Sequence, residues 1–408
     1  MEPIVIKEYE EKDIKDCDLD KLQSYIKCQN LSSALNVTRH GIKANSWVGV
    51  IKYKKTHFQI LPKLICDDNE NKECILKNLI YMLSYTKNLD IKTNEDAKLS
   101  TEKNPFIEIL IREYAKSLSD CLKRITPKQY TREEDNLNFM KGKIKFSENI
   151  KYNSVNKARF YCEYDEFSED NILNQLFLFV SICLYNISDN NQNKKLLNFI
   201  INYYSDIKLV RFDKFKARKI KLSQNQELFK KPFNLAKMFV EKTSVDLSKN
   251  KFENITLVWD MNVLFEEFVF EIMKKSCPDW KLTAQKGRKL LKGNENKKRN
   301  TFVDIFAQKE YKNLIIDTKY KKFIDEDSFS NADVFQVSTY CLLHNTNNAI
   351  LLYPQWENKK KPDTRDYYLN NGNDNYKISF KTINLKYDNL KNNIDNIKQE
   401  IQEILMQA

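Results

Sequence analysis

Glycine is scarce in this chain of 408 residues, with six in all. At their spacings they form neither a G-x-G-x-x-G nor a G-x-x-x-x-G-K-[ST] motif, the two glycine-rich loops that hold phosphates. The sequence therefore argues against a nucleoside triphosphate bound through a phosphate loop. If the system needs such energy, another subunit must supply it.

Histidine is rarer still, with three residues, and none of the nine cysteines forms a Cys-x-x-Cys pair. A zinc site is not expected, because its ligands come from clustered cysteines and histidines. An odd number of unpatterned cysteines indicates reduced thiols and a cytoplasmic protein. The N-terminus lacks a basic region followed by an apolar one, and no apolar stretch is long enough to span a bilayer. Neither a signal peptide nor a membrane segment is expected.

Positive charge is in excess: 68 Lys and Arg stand against 56 Asp and Glu, a net charge of +12. A basic balance favours a polyanionic partner such as nucleic acid. The alternative is a Lys- and Asn-rich composition that reflects genome base bias. The length indicates two or three domains with ample core.

Two short apolar runs, 302–306 and 314–316, predict a β-hairpin across the polar segment 308–313. Both runs contain β-branched residues, which are typical of buried strands. A hairpin that is symmetric about its centre places Phe306 opposite Ile315. The same register also determines which polar residues lie opposite each other two positions beyond Phe306 and Ile315.

In that register Asp304 faces Asp317, with Cβ atoms about 4.5–5.5 Å apart. Two carboxylates at this distance repel each other unless a cation lies between them, and Mg²⁺ is a hard cation that prefers oxygen ligands. Lys319 emerges on the same strand face as Asp317. It would orient an attacking water or stabilise charge on a phosphate. The alternative is a surface ion-pair cluster on a hairpin.

Three further residues lie on helices predicted at either side of the hairpin. Glu266, in a helix near 261–275, would supply another carboxylate to a metal or to Lys319. Gln336 and Tyr340, in a helix near 332–343, are one turn apart and share a face. They would contact DNA phosphates or support the metal site. The alternatives are a solvated glutamate and an ordinary polar helix face.

A basic segment comes directly before Asp304. As a flexible loop beside a phosphodiester site it would bind the DNA backbone, which is an electrostatic contact without sequence information. The alternative is an exposed, disordered hairpin tip. The basic residues are Lys286, Arg288, Lys289, Lys292, Lys297, Lys298 and Arg299.

The polar stretch 242–254 predicts a domain boundary, which gives an N-terminal domain over 1–245 and a C-terminal domain over 255–408. The first reads as a mixed α/β region, and Ser168 is predicted to cap a helix within it. In the second, helix, hairpin, helix and strand follow in order and predict an α/β module on a mixed sheet. A heptad-like apolar stripe after Tyr387 predicts a C-terminal helix packed on its own domain, with a coiled coil as the alternative.

The set of Asp304, Asp317 and Lys319 resembles the PD-(D/E)xK nucleases. The Gln336-x-x-x-Tyr340 helix resembles their RecB-like branch. Val303 stands where that family often has proline, a mild departure because the proline shapes the strand and does no chemistry.

Short pieces along the whole chain are similar to the McrC family, the nuclease subunits of McrBC modification-dependent restriction systems. In the second piece the family usually has arginine before the glycine. The matching pieces are Ile60-Leu61-Pro62-Lys63, Lys141-Gly142-Lys143-Ile144, the segment 166–175, the segment 260–266, and Ile316-Asp317-Thr318-Lys319-Tyr320.

The resemblance implies a C-terminal nuclease domain of the restriction-endonuclease type that cleaves DNA with Mg²⁺ held by Asp304 and Asp317. It also implies a partner, McrB, an AAA+ GTPase ring that recognises modified DNA, and an N-terminal region that docks on that ring and stimulates GTP hydrolysis. Two alternatives stay open. One is a non-catalytic activator of the ring with a relic nuclease fold, and the other is a stand-alone RecB-like nuclease.

Overall fold

Helices and strands are interspersed along the whole chain. The computed structural model describes residues 3–14, 19–28, 31–53, 56–63, 72–86, 105–246, 251–292, 298–321, 330–355, 364–370 and 375–407. Those residues form eleven α-helices and seventeen β-strands. Within these ranges, no helix combines the length and the apolar character that crossing a membrane requires.

The helices include most of those that the apolar periodicity predicts. A short 3-10 helix, Gln224–Phe229, precedes α8. The α-helices are α1 (Leu19–Cys28), α2 (Lys72–Leu83), α3 (Pro105–Leu122), α4 (Phe146–Asn153), α5 (Ile172–Ile187), α6 (Asn191–Tyr203), α7 (Lys214–Lys219), α8 (Lys230–Lys242), α9 (Met261–Ser276), α10 (Asn331–His344) and α11 (Ile394–Met406).

The strands are β1 (Ile4–Lys7), β2 (Glu11–Asp13), β3 (Leu35–Val37), β4 (Gly41–Ala44), β5 (Trp47–Tyr53), β6 (Thr56–Leu61), β7 (Gln129–Leu137), β8 (Lys143–Ile144), β9 (Phe160–Ser168), β10 (Thr243–Asp246), β11 (Lys251–Asp260), β12 (Lys281–Lys292), β13 (Lys298–Lys309), β14 (Lys312–Thr318), β15 (Asn348–Pro354), β16 (Thr364–Asn370) and β17 (Asn375–Ile383).

The chain folds into two compact units, and one of them is discontinuous. Unit 1 consists of residues 1–101 and 257–408, and unit 2 of residues 102–256. These bounds differ from the predicted domains over 1–245 and 255–408, because that division assumed that each domain is one continuous segment.

The reason for the discontinuity is a strand that returns to the N-terminal sheet. The end of β11 lies beside β5 and so extends the strands β1-β6-β5 of unit 1. Gly49 in β5 has φ 133°, and a Cβ there would lie 2.0 Å from the carbonyl oxygen of Leu257. A glycine is needed at this close approach. The polar stretch 242–254, predicted as a domain boundary, contains paired residues of β10 and β11.

The N-terminal sheet of unit 1 contains a hairpin of β5 and β6. Strands β5 and β6 pair antiparallel, with Ile51 opposite Phe58, and β1 adds to β6 in parallel. Ile51 and Phe58 are buried with Ile60 in one apolar core, and α1 adds Leu22 to it.

The second sheet of unit 1 has six strands in the order β12-β13-β14-β15-β17-β16. The first three pair antiparallel, β14-β15-β17 pair in parallel, and β16 is antiparallel again. Helix α10 makes the crossover between the parallel strands β14 and β15, as such strands require. The prediction of an α/β module on a mixed sheet is confirmed.

Helix α11 packs within unit 1, as predicted for the C-terminal stripe. Ile397, Ile401 and Ile404 are buried. Gln402 donates to the carbonyl oxygen of Ser276 at the end of α9 (2.7 Å). The stripe is thus covered by its own domain.

Unit 2 combines helices α3, α5, α6 and α8 with a three-stranded sheet, β7-β9-β8. The cap of α5 is Asn171, whose side chain accepts from the backbone N–H of Leu173 and Asn174. The predicted cap, Ser168, is the last residue of β9, so that prediction was wrong by three residues. A side-chain oxygen three positions further on meets the free N–H groups.

The cysteines agree only in part with the expectation of reduced thiols. Cys74 in α2 is disulfide-bonded. The described cysteines with free thiols are Cys28, Cys121, Cys162, Cys183, Cys277 and Cys341.

Candidate active site

The hairpin of β13 and β14 has the predicted register. Phe306 pairs with Ile315, and the ladder ends one step further at Ile305 and Ile316. The next position places Asp304 across from Asp317, just beyond the last pair of the ladder. Both carboxylates therefore lie at the end of the paired segment.

Asp304 is fixed by the residue that separates Asp317 from Lys319. Its Oδ2 accepts from the backbone N–H of Thr318 (2.9 Å) and from the Thr318 hydroxyl (3.1 Å). Thr318 is buried. Sequence reasoning missed this contact, because a threonine in a strand carries no signal of its own.

Asp317 is a fully buried carboxylate with incomplete compensation. Its side chain has 0% exposure, and Lys319 Nζ lies 2.7 Å from Oδ2. Among the described residues, Oδ1 has no hydrogen-bond partner. Burial, followed by the charge of Asp304, raises the pKa of Asp317 to about 7, although Lys319 acts in the opposite direction. The site therefore has more negative charge than one lysine balances.

Lys319 is held from the side of helix α10. Its Nζ donates to Gln336 Oε1 (3.1 Å), and Gln336 Nε2 donates to the hydroxyl of Tyr340 (2.6 Å). Burial alone would lower the pKa of Lys319, but the charge and hydrogen bond of Asp317 raise it above its ordinary value. The lysine is thus a fixed cation, and the predicted common face of Gln336 and Tyr340 points to it.

Glu266 lies on α9, which begins at its capping residue Asp260. The carboxylate accepts a hydrogen bond from Gln285 Nε2 (2.5 Å). Burial and the charge of Asp304 raise the pKa of Glu266 to about 7, and Asp317 acts in the same direction more weakly. Glu266 is therefore close to the two aspartates, while the polar partners described for Lys319 are Asp317 and Gln336.

Asp333 is a further acidic residue near the site that sequence reasoning missed. It lies in the first turn of α10 and forms an ion pair with Lys321. Its charge contributes to the raised pKa of both Asp317 and Lys319. An acidic residue in a first helical turn is common, which is why its position gave no signal.

Residues 286–292 and 298–299 of the basic segment lie on a pair of strands, whereas a flexible loop was predicted. Antiparallel pairing of β12 and β13 includes Arg288 with Thr301, Lys289 with Asn300, and Lys292 with Lys298. The register orders all of these residues except Lys297. That residue and the side chains of Lys292 and Lys298 lie outside the described part of the structure.

Lys286 shows how the positive charge concentrates on this hairpin. Its Nζ lies 3.4 Å from the centre of the Phe306 ring. Burial, with the charges of Arg288 and Lys281, lowers the pKa of Lys286. Arg288, Lys289 and Arg299 are exposed. A cluster of mutually repelling cations favours an anionic partner.

Within the described ranges, no group of three or more His, Cys, Asp or Glu residues is arranged to hold a metal ion. The pair of Asp304 and Asp317 remains, with an uncompensated buried oxygen on Asp317. Mg²⁺ is usually bound by one or two carboxylates, with waters and substrate phosphates as its other ligands. The donor set fits such an ion and does not fit zinc.

The comparisons with known proteins agree with this architecture. The family model of the McrBC 5-methylcytosine restriction system component matches residues 42–354, more than half of the chain. A chain in the solved assembly of Thermococcus gammatolerans McrB AAA+ hexamers with bound McrC superposes with a TM-score of 0.72. It is 20% identical, and the match covers 98% of this chain and 100% of that one.

The cryo-EM structure of the Thermococcus gammatolerans McrBC complex matches with a TM-score of 0.54 and 23% identity. That match covers 67% of this chain and 88% of the other. No curated protein gave a match. The chain belongs to the family of McrBC 5-methylcytosine restriction system components.

Proposed function

We propose that this chain is the DNA-cleaving subunit of a 5-methylcytosine-type restriction system, a metal-dependent endonuclease that also stimulates a McrB-like AAA+ GTPase ring. The observation that carries the proposal is the convergence of Asp304, Asp317 and Lys319 at the end of a mixed sheet. This convergence, with the sheet and its crossover helix, is what a PD-(D/E)xK nuclease domain requires.

Asp304 and Asp317 would hold the ion, Mg²⁺, which when bound supplies Lewis-acid polarisation of a phosphodiester. The buried and uncompensated Asp317 supports this role, because a second cation would offset the repulsion between the two carboxylates. The two hydrogen bonds from Thr318 hold the Asp304 carboxylate in a fixed orientation. Such preorganisation is what a site for charge stabilisation needs.

Lys319 acts as a cation and not as a base. Its raised pKa keeps the ammonium protonated, so that it stabilises negative charge developing on the phosphate. Gln336 holds the ammonium in place, and Tyr340 holds Gln336. The helix face of Gln336 and Tyr340 thus serves the lysine, which differs from a direct role in binding DNA phosphates.

The basic hairpin beside Asp304 would bind the DNA backbone. Arg288, Lys289 and Arg299 are exposed, and the ordered strands give them fixed positions along the substrate. Lys292, Lys297 and Lys298 remain predicted contacts to the same backbone. Contacts of this kind give affinity that falls steeply with salt.

The partner is a McrB-like AAA+ ring, as in the assembly that this chain resembles. A surface on unit 2 supports this part of the proposal, because large apolar side chains are exposed there, which is unusual for a surface without a partner. Val155 is 97% exposed, and the rings of Tyr130 and Phe167 lie 5.0 Å apart. The exposed residues are Tyr130, Phe139, Met140, Phe146, Ile150, Tyr152, Val155 and Phe167.

The test combines the full chain with the McrB-like ring of its own source and follows two activities. Methylated and unmethylated plasmid DNA are incubated with GTP and Mg²⁺, and GTP hydrolysis is measured in parallel. We expect cleavage of methylated DNA only, stopped by EDTA. Asp317→Ala should abolish cleavage and leave GTPase stimulation intact.

Three results would contradict the proposal. GTPase stimulation without cleavage, with any divalent metal, would indicate a non-catalytic activator with a relic site. Cleavage by this chain alone without nucleotide would indicate a stand-alone nuclease. Loss of both activities in a folded Asp317→Ala variant would refute the separation of the two functions.

A further inference from the structure

The backbone of Gln285 is unusual for a residue inside a strand. Its φ is 50°, in the left-handed region that favours glycine. The described residues include three other non-glycine residues with positive φ. Tyr9 and Glu310 lie in turns, and Asn345 caps the end of α10. Of these four residues, only Gln285 interrupts a strand.

This conformation lies directly across from Asp304. The β12–β13 ladder pairs Ala284 with Ile305 and Lys286 with Val303, and it omits the position between them. The omitted pair consists of Gln285 on β12 and Asp304 on β13. An irregularity of this kind re-aims a side chain, and such features are common beside active sites.

The re-aimed side chain reaches α9. Gln285 Nε2 donates to Glu266 Oε1 at 2.5 Å. The two residues line a surface pocket of about 270 Å³ whose wall also carries Glu267 and Glu271. A neutral amide holds the carboxylate without cancelling its charge. A lysine at this position would neutralise it, so the choice of glutamine preserves the negative charge for a cation.

We propose that Gln285 is a positioning residue whose amide holds the carboxylate of Glu266 beside Asp304, so that a third negative charge lies next to the two aspartates that would hold the ion. The inference rests on the proposed function. It assigns Glu266 to the side of the aspartates and not to Lys319, whose partners Asp317 and Gln336 are already in place.

The competing explanation is that Gln285 only permits a bend in the strand. Two variants separate the explanations. Gln285→Gly removes the amide and relieves the left-handed backbone, whereas Gln285→Ala removes the amide and keeps the unfavourable φ. Glu310→Gly is the matched control, because it relieves the same φ at the exposed β13–β14 turn.

Three quantities are measured on the full chain: melting temperature, Mn²⁺ affinity by calorimetry, and cleavage of methylated DNA with the McrB-like ring. We expect Gln285→Gly and Glu310→Gly to melt higher than the wild type. Both Gln285 variants should lose about tenfold in Mn²⁺ affinity and in kcat with little change in KM, as partners of ligating groups do. Glu310→Gly should lose neither.

The proposal is overturned if Gln285→Gly keeps wild-type Mn²⁺ affinity and kcat, or loses no more than Glu310→Gly. A Glu266→Gln variant tests the route. If Gln285 acts through Glu266, the double variant is no worse than Glu266→Gln alone, and additive losses contradict the proposal. Failure of the proposed function is distinguishable, because the wild-type chain would then show no cleavage with the ring, whereas failure of the Gln285 proposal leaves wild-type cleavage in place.

Discussion

Two buried carboxylates, one in each unit, differ in how completely they are compensated. In unit 2, Glu108 is 5% exposed, and both of its oxygens accept hydrogen bonds. The donors are Ser188 Oγ (2.7 Å), the backbone N–H of Asp189 (2.6 Å) and Asn193 Nδ2 (2.7 Å). In unit 1, Asp317 is buried as deeply, with one lysine on Oδ2 and no described partner for Oδ1.

This difference in hydrogen bonding distinguishes a carboxylate that stabilises the fold from one that is available for a chemical role. Glu108 has neutral donors on every side and joins α3 to the segment between α5 and α6, as a buried polar group in a stable core should. Asp317 is left with a requirement that the protein itself does not meet. Burial of an acidic residue is therefore no sign of function by itself, and what distinguishes Asp317 is an uncompensated oxygen beside a second carboxylate, Asp304.

The largest effect is expected for Asp317→Asn. Cleavage should fall by at least about 100-fold, because the variant loses the charge on which the site depends.

The same substitution should increase the stability of the folded protein relative to the wild type at high pH. The folded pKa of Asp317 is raised from 3.8 to about 7, so the unfolded state releases the proton more readily and stability falls as pH rises across that window. Urea unfolding should show that Asp317→Asn is more stable relative to the wild type at pH 8 than at pH 4. A stability difference that is equal at both pH values would show that the pKa of Asp317 is not raised in the folded protein.

Glu108→Ala should behave in the reverse way. It leaves three buried donors without an acceptor and should cost about 3 kcal/mol of unfolding free energy. Cleavage per folded molecule should stay unchanged. Glu113→Ala is the control on the same helix, because its ion pair with Lys231 (2.9 Å) is partly exposed. It should cost about 1 kcal/mol or less. Similar losses in both variants would contradict the assigned role of Glu108.

Glu8 in unit 1 is an intermediate case. Its Oε2 accepts from the N–H of Lys63 (3.0 Å) and the hydroxyl of Tyr320 (3.2 Å), and its Oε1 has no partner among the described residues. Burial raises its pKa from 4.5 to about 8, against the opposing effect of Lys63 and with a small contribution from Asp260.

Stability should therefore be lost as pH rises from about 4.5 to 8, because the unfolded state gives up the Glu8 proton first. Glu8→Gln removes this loss and should stabilise the protein at pH 8 by a few kcal/mol relative to its effect at pH 4. Chemical unfolding of both proteins across this range measures it. A difference that does not depend on pH would show that Glu8 is ionised in the folded state.

The smallest effect is expected for Tyr340→Phe. It removes the hydroxyl that accepts from Gln336 and leaves the hydrogen bond from Lys319 to Gln336 in place. Cleavage should fall about fivefold, which corresponds to ~1 kcal/mol. Initial rates on methylated plasmid measure the change, with Tyr367→Phe on the outer strand β16 as the control. A wild-type rate would remove Tyr340 from the support of Lys319.

The candidate site was predictable where it depended on the periodicity of side chains along strands and helices and on the symmetry of the hairpin. Alternation along two apolar strands placed Phe306 opposite Ile315, and the helical period placed Gln336 and Tyr340 on one face. These rules are local, and the structure follows them. The positions of Asp304 and Asp317 at the end of the ladder follow from the same register.

Other features depend on contacts that local rules do not contain. Thr318 holds Asp304 through its backbone N–H and its hydroxyl, which no pattern announces. Gln285 adopts a conformation that its residue type disfavours, so propensity points away from it. The start of unit 2 has no local signal for a related reason: the strand that pairs with β5 lies more than 150 residues further along the chain.

The discontinuity of unit 1 has a consequence for synthesis on the ribosome. The N-terminal sheet of β1, β6 and β5 lacks its fourth strand until Leu257 and the residues after it have been synthesised. Residues 102–256 must therefore be translated first. At about 5–20 residues per second the delay is roughly 10–30 s. Throughout that interval an apolar strand edge of the nascent chain is open to solvent, while unit 2 emerges as one continuous segment and can fold first.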